Sequence, residues 1–139
     1  MTKSIKINGK EIELKYGMEF VRKLDEYAGE KVPGTSQGVA MGLGYTVTRL
    51  LLGELTPEYT YYDIIKAATV TNPVPPSDED IEDFVIDEIY KDDQTIEKYK
   101  NDFLKSFENS KACQRQMKKF ELATVEEQAE AVKEEAKTK

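Results

Sequence analysis

The sequence contains no histidine and a single cysteine, Cys113, which narrows the chemistry that its side chains can perform. Histidine is the commonest general base, the usual activator of a nucleophile and the commonest metal ligand. Without histidine, Cys113 cannot form a Cys–His pair, and its place in a helical pattern indicates a packing or surface residue. We therefore expect no catalytic residue, no cofactor and no enzymatic activity.

A run of carboxylates from Asp78 to Asp83 is the next group that could do chemistry, because calcium is bound by oxygen ligands. An EF-hand loop needs a central glycine and ligands at alternating positions, whereas this run has no glycine and carries Ile81 and Phe84 at helical spacing. Paired carboxylates that cleave sugars need an aromatic-lined cleft, and the chain has no tryptophan. The run is interpreted as the solvated face of a helix, and no metal site is expected.

Gly42-Leu43-Gly44 has two of the glycines of a nucleotide-binding loop, but no third glycine follows at the required spacing and no strand precedes it. The sequence also lacks the Gly-Lys-Ser/Thr motif of a phosphate cradle. The glycines are therefore interpreted as sites of close helix packing or of a bend from loop to helix.

The charge distribution excludes two classes of partner. The net charge of −7 comes entirely from residues 77–139, and Asp78 to Asp93 contains nine carboxylates against Lys91 alone. Such a surface repels phosphate backbones and anionic lipids, so we expect no nucleic-acid binding and no membrane binding. The longest apolar-rich stretch, Val39 to Leu52, is too short to span a bilayer and contains Arg49. With no signal-like run and one cysteine, these features predict a cytoplasmic protein.

Alternating apolar residues predict a β-hairpin over residues 4–16. A Gly9-Lys10 turn of type II′ would place Ile7 opposite Ile12 and Ile5 opposite Leu14. An Asn8-Gly9 turn of type I′ would instead place Ile7 opposite Lys10, which buries less apolar surface, so the Gly9-Lys10 turn is the prediction.

Helical periodicity follows the hairpin. It predicts helices over Met18–Ala28 and Val39–Leu52, separated by a loop at Glu30–Gln37. Thr60, with Asp63 three residues later, resembles a capping box that opens a helix running to about Val70.

A proline-rich break follows that helix, and Ser77 is predicted to cap the next one. After Asp92-Asp93 a longer helix is predicted, continuing past Asn109-Ser110 to Phe120.

These elements predict an α+β, mainly α fold in which an N-terminal β-hairpin packs on a bundle of about four to five helices. The hairpin (4–16) and the helical part (17–121) are expected to form a single globular domain over residues 1–121. Residues 122–139 are predicted to be a polar C-terminal extension, either a marginal helix or disordered.

Two features point to partner binding. A helix cannot bury three tyrosines so close together, so at least one of Tyr59, Tyr61 and Tyr62 faces solvent or a partner, and tyrosine is favoured at interfaces. Replacing Tyr61 and Tyr62 by serine is expected to weaken binding and leave the fold intact. The second feature is a thin apolar stripe in the C-terminal extension. The predicted partner-binding side chains are Tyr59, Tyr61, Tyr62, Phe120, Leu122, Val125 and Val132. The alternatives are half-buried surface tyrosines and a disordered tail.

The order of motifs along the chain resembles a known family. The stretches that carry the resemblance are Ile7–Ile12, Tyr16–Asp25, Gly38–Leu43 leading into Leu50–Gly53, Asp63–Thr69 with Thr71-Asn72, and Ser77–Asp83 before a long Glu/Lys-rich helix. Over about Ile5 to Phe120, the chain resembles the tail assembly chaperones of long-tailed phages of Gram-positive hosts. The resemblance rests on the order and spacing of these motifs.

The resemblance implies a chaperone that binds the phage tape measure protein and helps to recruit tail tube protein through a frameshift-extended form, of which this chain would be the short version. It also implies self-association, action in the host cytoplasm and absence from the mature virion. Two alternatives are kept, a small structural or connector protein of the phage and an acidic inhibitor that mimics DNA.

Overall fold

A computed structural model of the protein describes residues 3–29 and 41–121. The fold opens with an antiparallel hairpin of β1 (Lys3–Ile7) and β2 (Lys10–Leu14). Helices follow: α1 (Met18–Ala28), α2 (Gly42–Leu50), α3 (Glu58–Thr69), α4 (Asp78–Phe84), α5 (Asp93–Glu108) and α6 (111–121). A 3₁₀ turn at Gly53–Leu55 precedes α3, and a π-helical turn at Val85–Ile89 extends α4.

The predicted fold class, α+β and mainly α, is confirmed. One backbone bond and one side-chain bond join the hairpin region to α3 and the turn after it. The backbone N–H of Lys15 donates to the Ala68 carbonyl at 2.9 Å, and the side-chain amide of Asn72 donates to the Glu13 carbonyl at 2.9 Å. Six α-helices lie in the described residues, against the four to five predicted, because the long C-terminal helix is interrupted. None of the described helices has the length and apolar character needed to cross a bilayer.

The predicted Gly9-Lys10 turn is wrong, and the alternative turn is present. Asn8 and Gly9 have φ values of 52° and 77°, and the register pairs Ile7 with Lys10. A type I′ turn needs two left-handed residues, which Asn-Gly supplies at little cost, and its twist matches that of the strands. Ile7 is nevertheless only 3% exposed. Contacts with the helices therefore bury it without an apolar partner across the strand.

Helix α1 has the predicted bounds, Met18–Ala28. Its buried residues recur at helical spacing and form one stripe that faces the core: Phe20, Val21, Leu24 and Ala28.

Gly42 allows α2 to pack closely on α1. A Cβ at this position would overlap the Leu24 carbonyl and the Asp25 Cα, and the Gly42 N–H donates to Asp25 Oδ1 at 2.8 Å. At Gly44 the ring of Phe120 occupies the space that a Cβ would need. Close helix packing, one of the two interpretations offered for these glycines, is therefore confirmed.

Helix α2 is shorter than the predicted Val39–Leu52. It ends at Leu50, and Leu51 and Leu52 lie in the turn that follows. Val39, Ala40 and the predicted loop at Glu30–Gln37 lie outside the described residues.

Of the two helix caps predicted from the sequence, at Ser77 and at Thr60, the structure contains only the first. Ser77 Oγ accepts from the Asp80 N–H at 3.1 Å, which confirms the predicted cap of α4. The predicted Thr60 cap is wrong, because α3 begins at Glu58 after Pro57, and Thr60 is buried within it. Proline presets the φ angle needed at a helix start, so the chain turns helical earlier than the capping pattern indicates.

The predicted long C-terminal helix is interrupted at Asn109-Ser110, and this break joins the two ends of the fold. Ser110 Oγ donates to the Tyr16 carbonyl, and Cys113 Sγ lies 3.8 Å from the same oxygen. Cys113 is completely buried, so it is a packing residue. Burial in apolar surroundings raises the pKa of its thiol and lowers its reactivity.

Candidate partner-binding surface

A groove of about 780 Å³, here called the tyrosine groove, opens between helices α1, α2, α3 and the α4 region. Its lining is Tyr27, Ala28, Gly29, Arg49, Glu58, Tyr59, Tyr62, Asp63, Glu82, Val85 and Ile86. The groove combines aromatic and aliphatic walls with a small number of charged groups, which is the composition of a binding site.

The three predicted tyrosines are divided between this groove and the core. Tyr59 is 57% exposed and Tyr62 is half-buried, and both line the groove. Tyr61 is completely buried, with its ring 5.7 Å from that of Tyr90 and 6.1 Å from that of Phe103. Successive helix positions differ by about 100°, so positions 59 and 62 share a face that position 61 does not. Tyr61 is therefore a core residue and not part of the groove surface, and we now expect a serine there to destabilise the fold.

A lysine holds the walls of the groove together. Lys66 Nζ lies 5.3 Å from the ring centroid of Tyr27 in α1 and 5.6 Å from that of Tyr62 in α3. The same nitrogen lies 3.2 Å from Asp78 Oδ1 at the start of α4. The hydrogen bond from Lys66 holds the pKa of the Asp78 carboxyl below its ordinary value. These contacts connect three helices at one side of the groove.

Asp63 is the unusual charge in the groove. Desolvation by burial raises the pKa of its carboxyl from 3.8 to about 6, although the nearby positive charges of Arg49 and Lys66 oppose this shift. A charge held in a desolvating cleft against its ordinary preference is typical of a functional position.

Replacing Asp63 by asparagine should stabilise the free protein at pH 7 by about 1 kcal/mol, after allowance for solvent screening of a half-exposed group. The folded state favours the protonated form of Asp63. In the wild-type protein, the stability that comes from this preference is complete below pH 3.8 and is lost as the pH rises through about 6. The advantage of the variant should therefore grow between pH 4 and pH 7 in urea titrations. An advantage that is equal at pH 4 and pH 7 would contradict this account.

Ile86 lies in the π-helical turn and lines the groove. Val85 and Ile89 are buried, at 2% and 0% exposure, whereas Ile86 between them is 56% exposed. A π turn is rare and is frequently found at functional sites. Here it presents an apolar side chain to solvent at the edge of the tyrosine groove.

A second groove of about 670 Å³, here called the C-terminal groove, lies between α2, α5 and α6. Its lining is Val47, Leu51, Leu104, Phe107, Glu108, Gln114, Met117, Lys118 and Glu121. Of the predicted partner-binding residues in this region, Phe120 packs on α2, with its ring 5.7 Å from that of Tyr45 in an edge-to-face arrangement. Leu122, Val125 and Val132 lie outside the described residues.

Exposed leucines connect the two grooves along the chain. Leu51, which lines the C-terminal groove, is 66% exposed, and Leu52 and Leu55 are 51% and 81% exposed. Tyr59 of the tyrosine groove follows four residues after Leu55. Neighbouring exposed apolar side chains of this size are typical of interaction surfaces.

Three residues that line the groove are not among the predicted partner-binding residues: Ile86, Asp63 and Arg49. Ile86 could have been found because it is an apolar residue off the helical stripe of Ile81 and Val85. Asp63 was assigned to a capping box instead, and no sequence signal brings Arg49 of α2 to the same groove. Within residues 3–29 and 41–121, no three residues among Cys, Asp and Glu are grouped as metal ligands.

Apolar grooves and exposed leucines on an acidic, mainly helical fold are typical of proteins that bind other proteins. The family model for phage tail assembly chaperone protein, TAC, matches residues 4–121, and the chain belongs to this family. The match runs from β1 to α6 and confirms the resemblance seen in the sequence. Members of the family are chaperones that interact with tail proteins. Comparison with curated proteins and with solved structures found no match.

Proposed function

We propose that this chain binds the phage tape measure protein, keeps it soluble and helps to recruit tail tube subunits during tail assembly. Besides family membership, one observation carries the proposal. Large apolar side chains at Leu51, Leu52, Leu55, Tyr59 and Ile86 are each more than half exposed, on a chain with a net charge of −7.

The physical logic of such a surface is that of a cover. A long amphipathic helix aggregates when its apolar face is exposed before assembly. A bound chaperone buries that face, and the exposed carboxylates of α4 then make the coated chain repel its neighbours. Many weakly bound copies along one partner give high avidity and still release one at a time when tube subunits compete.

The proposal has five further parts. The chain catalyses no reaction, acts in the host cytoplasm and is absent from the mature virion. It has a longer, frameshift-extended form that contacts the tube protein. Copies of the chain self-associate along the tape measure protein.

Co-expression tests the main proposal. The soluble fraction of the tape measure protein should rise several-fold with this chain, measured by centrifugation and gel densitometry. A Leu52→Ser/Leu55→Ser double variant tests the exposed leucines. Both side chains are exposed and contribute little to the fold, so the variant should stay folded and lose part of the solubilising effect. A tape measure protein that is no more soluble with the chain than without it would overturn the proposal.

Mass spectrometry of purified virions separates a chaperone from a connector. The peptides of this chain should be missing from the particles, whereas a structural or connector protein would be retained at a fixed copy number. Recovery of the chain at a fixed copy number per virion would contradict the chaperone proposal.

A further inference from the structure

The tyrosine groove has features that restrict what it can bind. Tyr59 in α3 and Ile86 in the π-helical turn are 57% and 56% exposed, and both line the groove. These two side chains come from different helices and form an apolar rim around a volume of about 780 Å³. The groove therefore selects a partner that inserts apolar side chains.

An extended strand does not suit this groove. Strand addition needs a row of unpaired backbone N–H and C=O groups along a sheet edge. The described walls are helices α1, α2, α3 and α4 with its π-helical turn, and no residue of β1 or β2 lines the groove. Recognition has to proceed through side chains, which is how a helix binds in a groove.

A proline-rich peptide does not suit it either. Polyproline segments dock between freely accessible aromatic rings. The rings of Tyr27 and Tyr62 are both faced by Lys66 Nζ, which lies 5.3 Å and 5.6 Å from their centroids. Tyr59 is the more open ring of the groove, and one ring does not make a stacking slot.

The charges in the groove select the sign of the partner. Glu58 and Asp63 of α3 and Glu82 of α4 supply three carboxylates to the lining. The positive charges beside Asp63 are Arg49 from α2 and Lys66, whose ammonium group already pairs with Asp78, so negative charge is in excess. An incoming cation would restore to the Asp63 carboxylate the stabilisation that desolvation removes. A basic side chain therefore complements the groove.

We propose that the tyrosine groove holds an amphipathic helix of the tape measure protein, with apolar residues between Tyr59 and Ile86 and a lysine or arginine paired with Asp63. This assignment rests on the proposed function for the identity of the partner. It adds the place of binding, the conformation of the bound segment and the sign of its charge.

Photocrosslinking locates the contact without relying on destabilising substitutions. A benzoylphenylalanine at position 59 reports on the tyrosine groove, and the same group at Leu51 reports on the C-terminal groove. Both positions are more than half exposed, so the probe should not disturb the fold. Crosslinks to co-expressed tape measure protein should form from position 59, and mass spectrometry should map them to a segment with apolar residues three or four apart and a nearby lysine or arginine.

Affinity measurements test the charge. With a synthetic peptide of the crosslinked segment as the probe, Asp63→Asn should raise the Kd at pH 7.5 about tenfold or more. The matched control Asp83→Asn removes one exposed carboxylate of α4 and should change the Kd less than twofold. Circular dichroism of both variants confirms that they are folded.

The pH dependence supplies an independent readout. Arg49 from α2 and Lys66 from its own helix act on the Asp63 carboxyl. The other titratable side chains that line the groove are Glu58, Tyr59 and Tyr62 from α3, Glu82 from α4 and Tyr27 from α1. Among these groups Asp63 has a carboxyl pKa of about 6, so wild-type affinity should fall between pH 7.5 and pH 5.5 as this carboxylate is protonated. The Asp63→Asn variant should show a flat profile over the same range.

The outcomes separate the two proposals. Crosslinks from position 59 to a helical segment, with weaker binding by Asp63→Asn alone, support the assignment. A tape measure protein that binds but crosslinks only from Leu51, or that binds Asp63→Asn with unchanged affinity, overturns the assignment and leaves the proposed function standing. Retained affinity when proline is placed in the middle of the peptide also overturns it, because a helix would be broken. No binding of wild-type chain to tape measure protein removes both.

Discussion

Replacing Tyr61 by alanine is expected to lower the free energy of unfolding by about 3–5 kcal/mol, the range for removing a large aromatic side chain from a core. Tyr61 is completely buried and its ring packs against Tyr90 and Phe103, so the substitution leaves a cavity where three helical segments meet. A loss of this size is a large part of the stability of a small domain. Urea unfolding followed by circular dichroism measures it.

Two neighbouring substitutions serve as controls for Tyr61→Ala. Tyr59→Ala, two residues away and 57% exposed, should change the free energy of unfolding by less than about 0.5 kcal/mol. Tyr61→Phe keeps the ring and removes a buried hydroxyl that has no hydrogen-bond partner among the described residues, so stability should stay equal or rise by up to about 1 kcal/mol. Equal losses for Tyr59→Ala and Tyr61→Ala would contradict the observed packing of α3.

Gly42→Ala is expected to destabilise the protein by about 2 kcal/mol, although alanine favours a helix more than glycine does. The added Cβ would overlap the carbonyl of Leu24 and the Cα of Asp25, which are backbone atoms that cannot rotate away. Helices α1 and α2 would have to separate, and the hydrogen bond from the Gly42 N–H to Asp25 would weaken. Thermal and urea unfolding both report the change.

Gly44→Ala is the matched control for the helix contact. Its Cβ would meet the ring of Phe120, a side chain that can turn about its own bonds, and alanine adds helix propensity. The net loss should stay below about 1 kcal/mol. A Gly44 variant that is less stable than the Gly42 variant would show that α6, rather than α1, sets the position of α2.

The parts of the fold that the sequence predicts are those set by local patterns. The apolar stripe of α1 gives its bounds, and the Ser77 hydroxyl caps α4 as its place before three acidic residues indicates. The predicted Gly9-Lys10 turn is wrong because the left-handed preference of Asn8-Gly9 decides the turn, and apolar pairing across the strands does not. Helices bury Ile7 from outside the hairpin, which a comparison of two strands cannot reveal.

The candidate site shows where a sequence pattern stops being informative. Three close tyrosines predict an interaction surface, but which of them is buried depends on the rotation of α3, and an error of one position exchanges core and surface. Asp63 and Arg49 meet because α2 and α3 pack together. Ile86 is exposed because it lies off the apolar stripe of its helix, and the sequence shows it only as an apolar side chain off that stripe.

The bond from Ser110 to the Tyr16 carbonyl joins positions 94 residues apart. During synthesis, the segment around Tyr16 therefore leaves the ribosome long before its partner Ser110 is available. Until α5 has emerged, the aromatic rings of Tyr16 and Phe20 lack the Phe107 ring that packs against both. The nascent chain therefore carries unprotected apolar surface of its own until the late helices α5 and α6 have been made and closed over the hairpin-proximal rings.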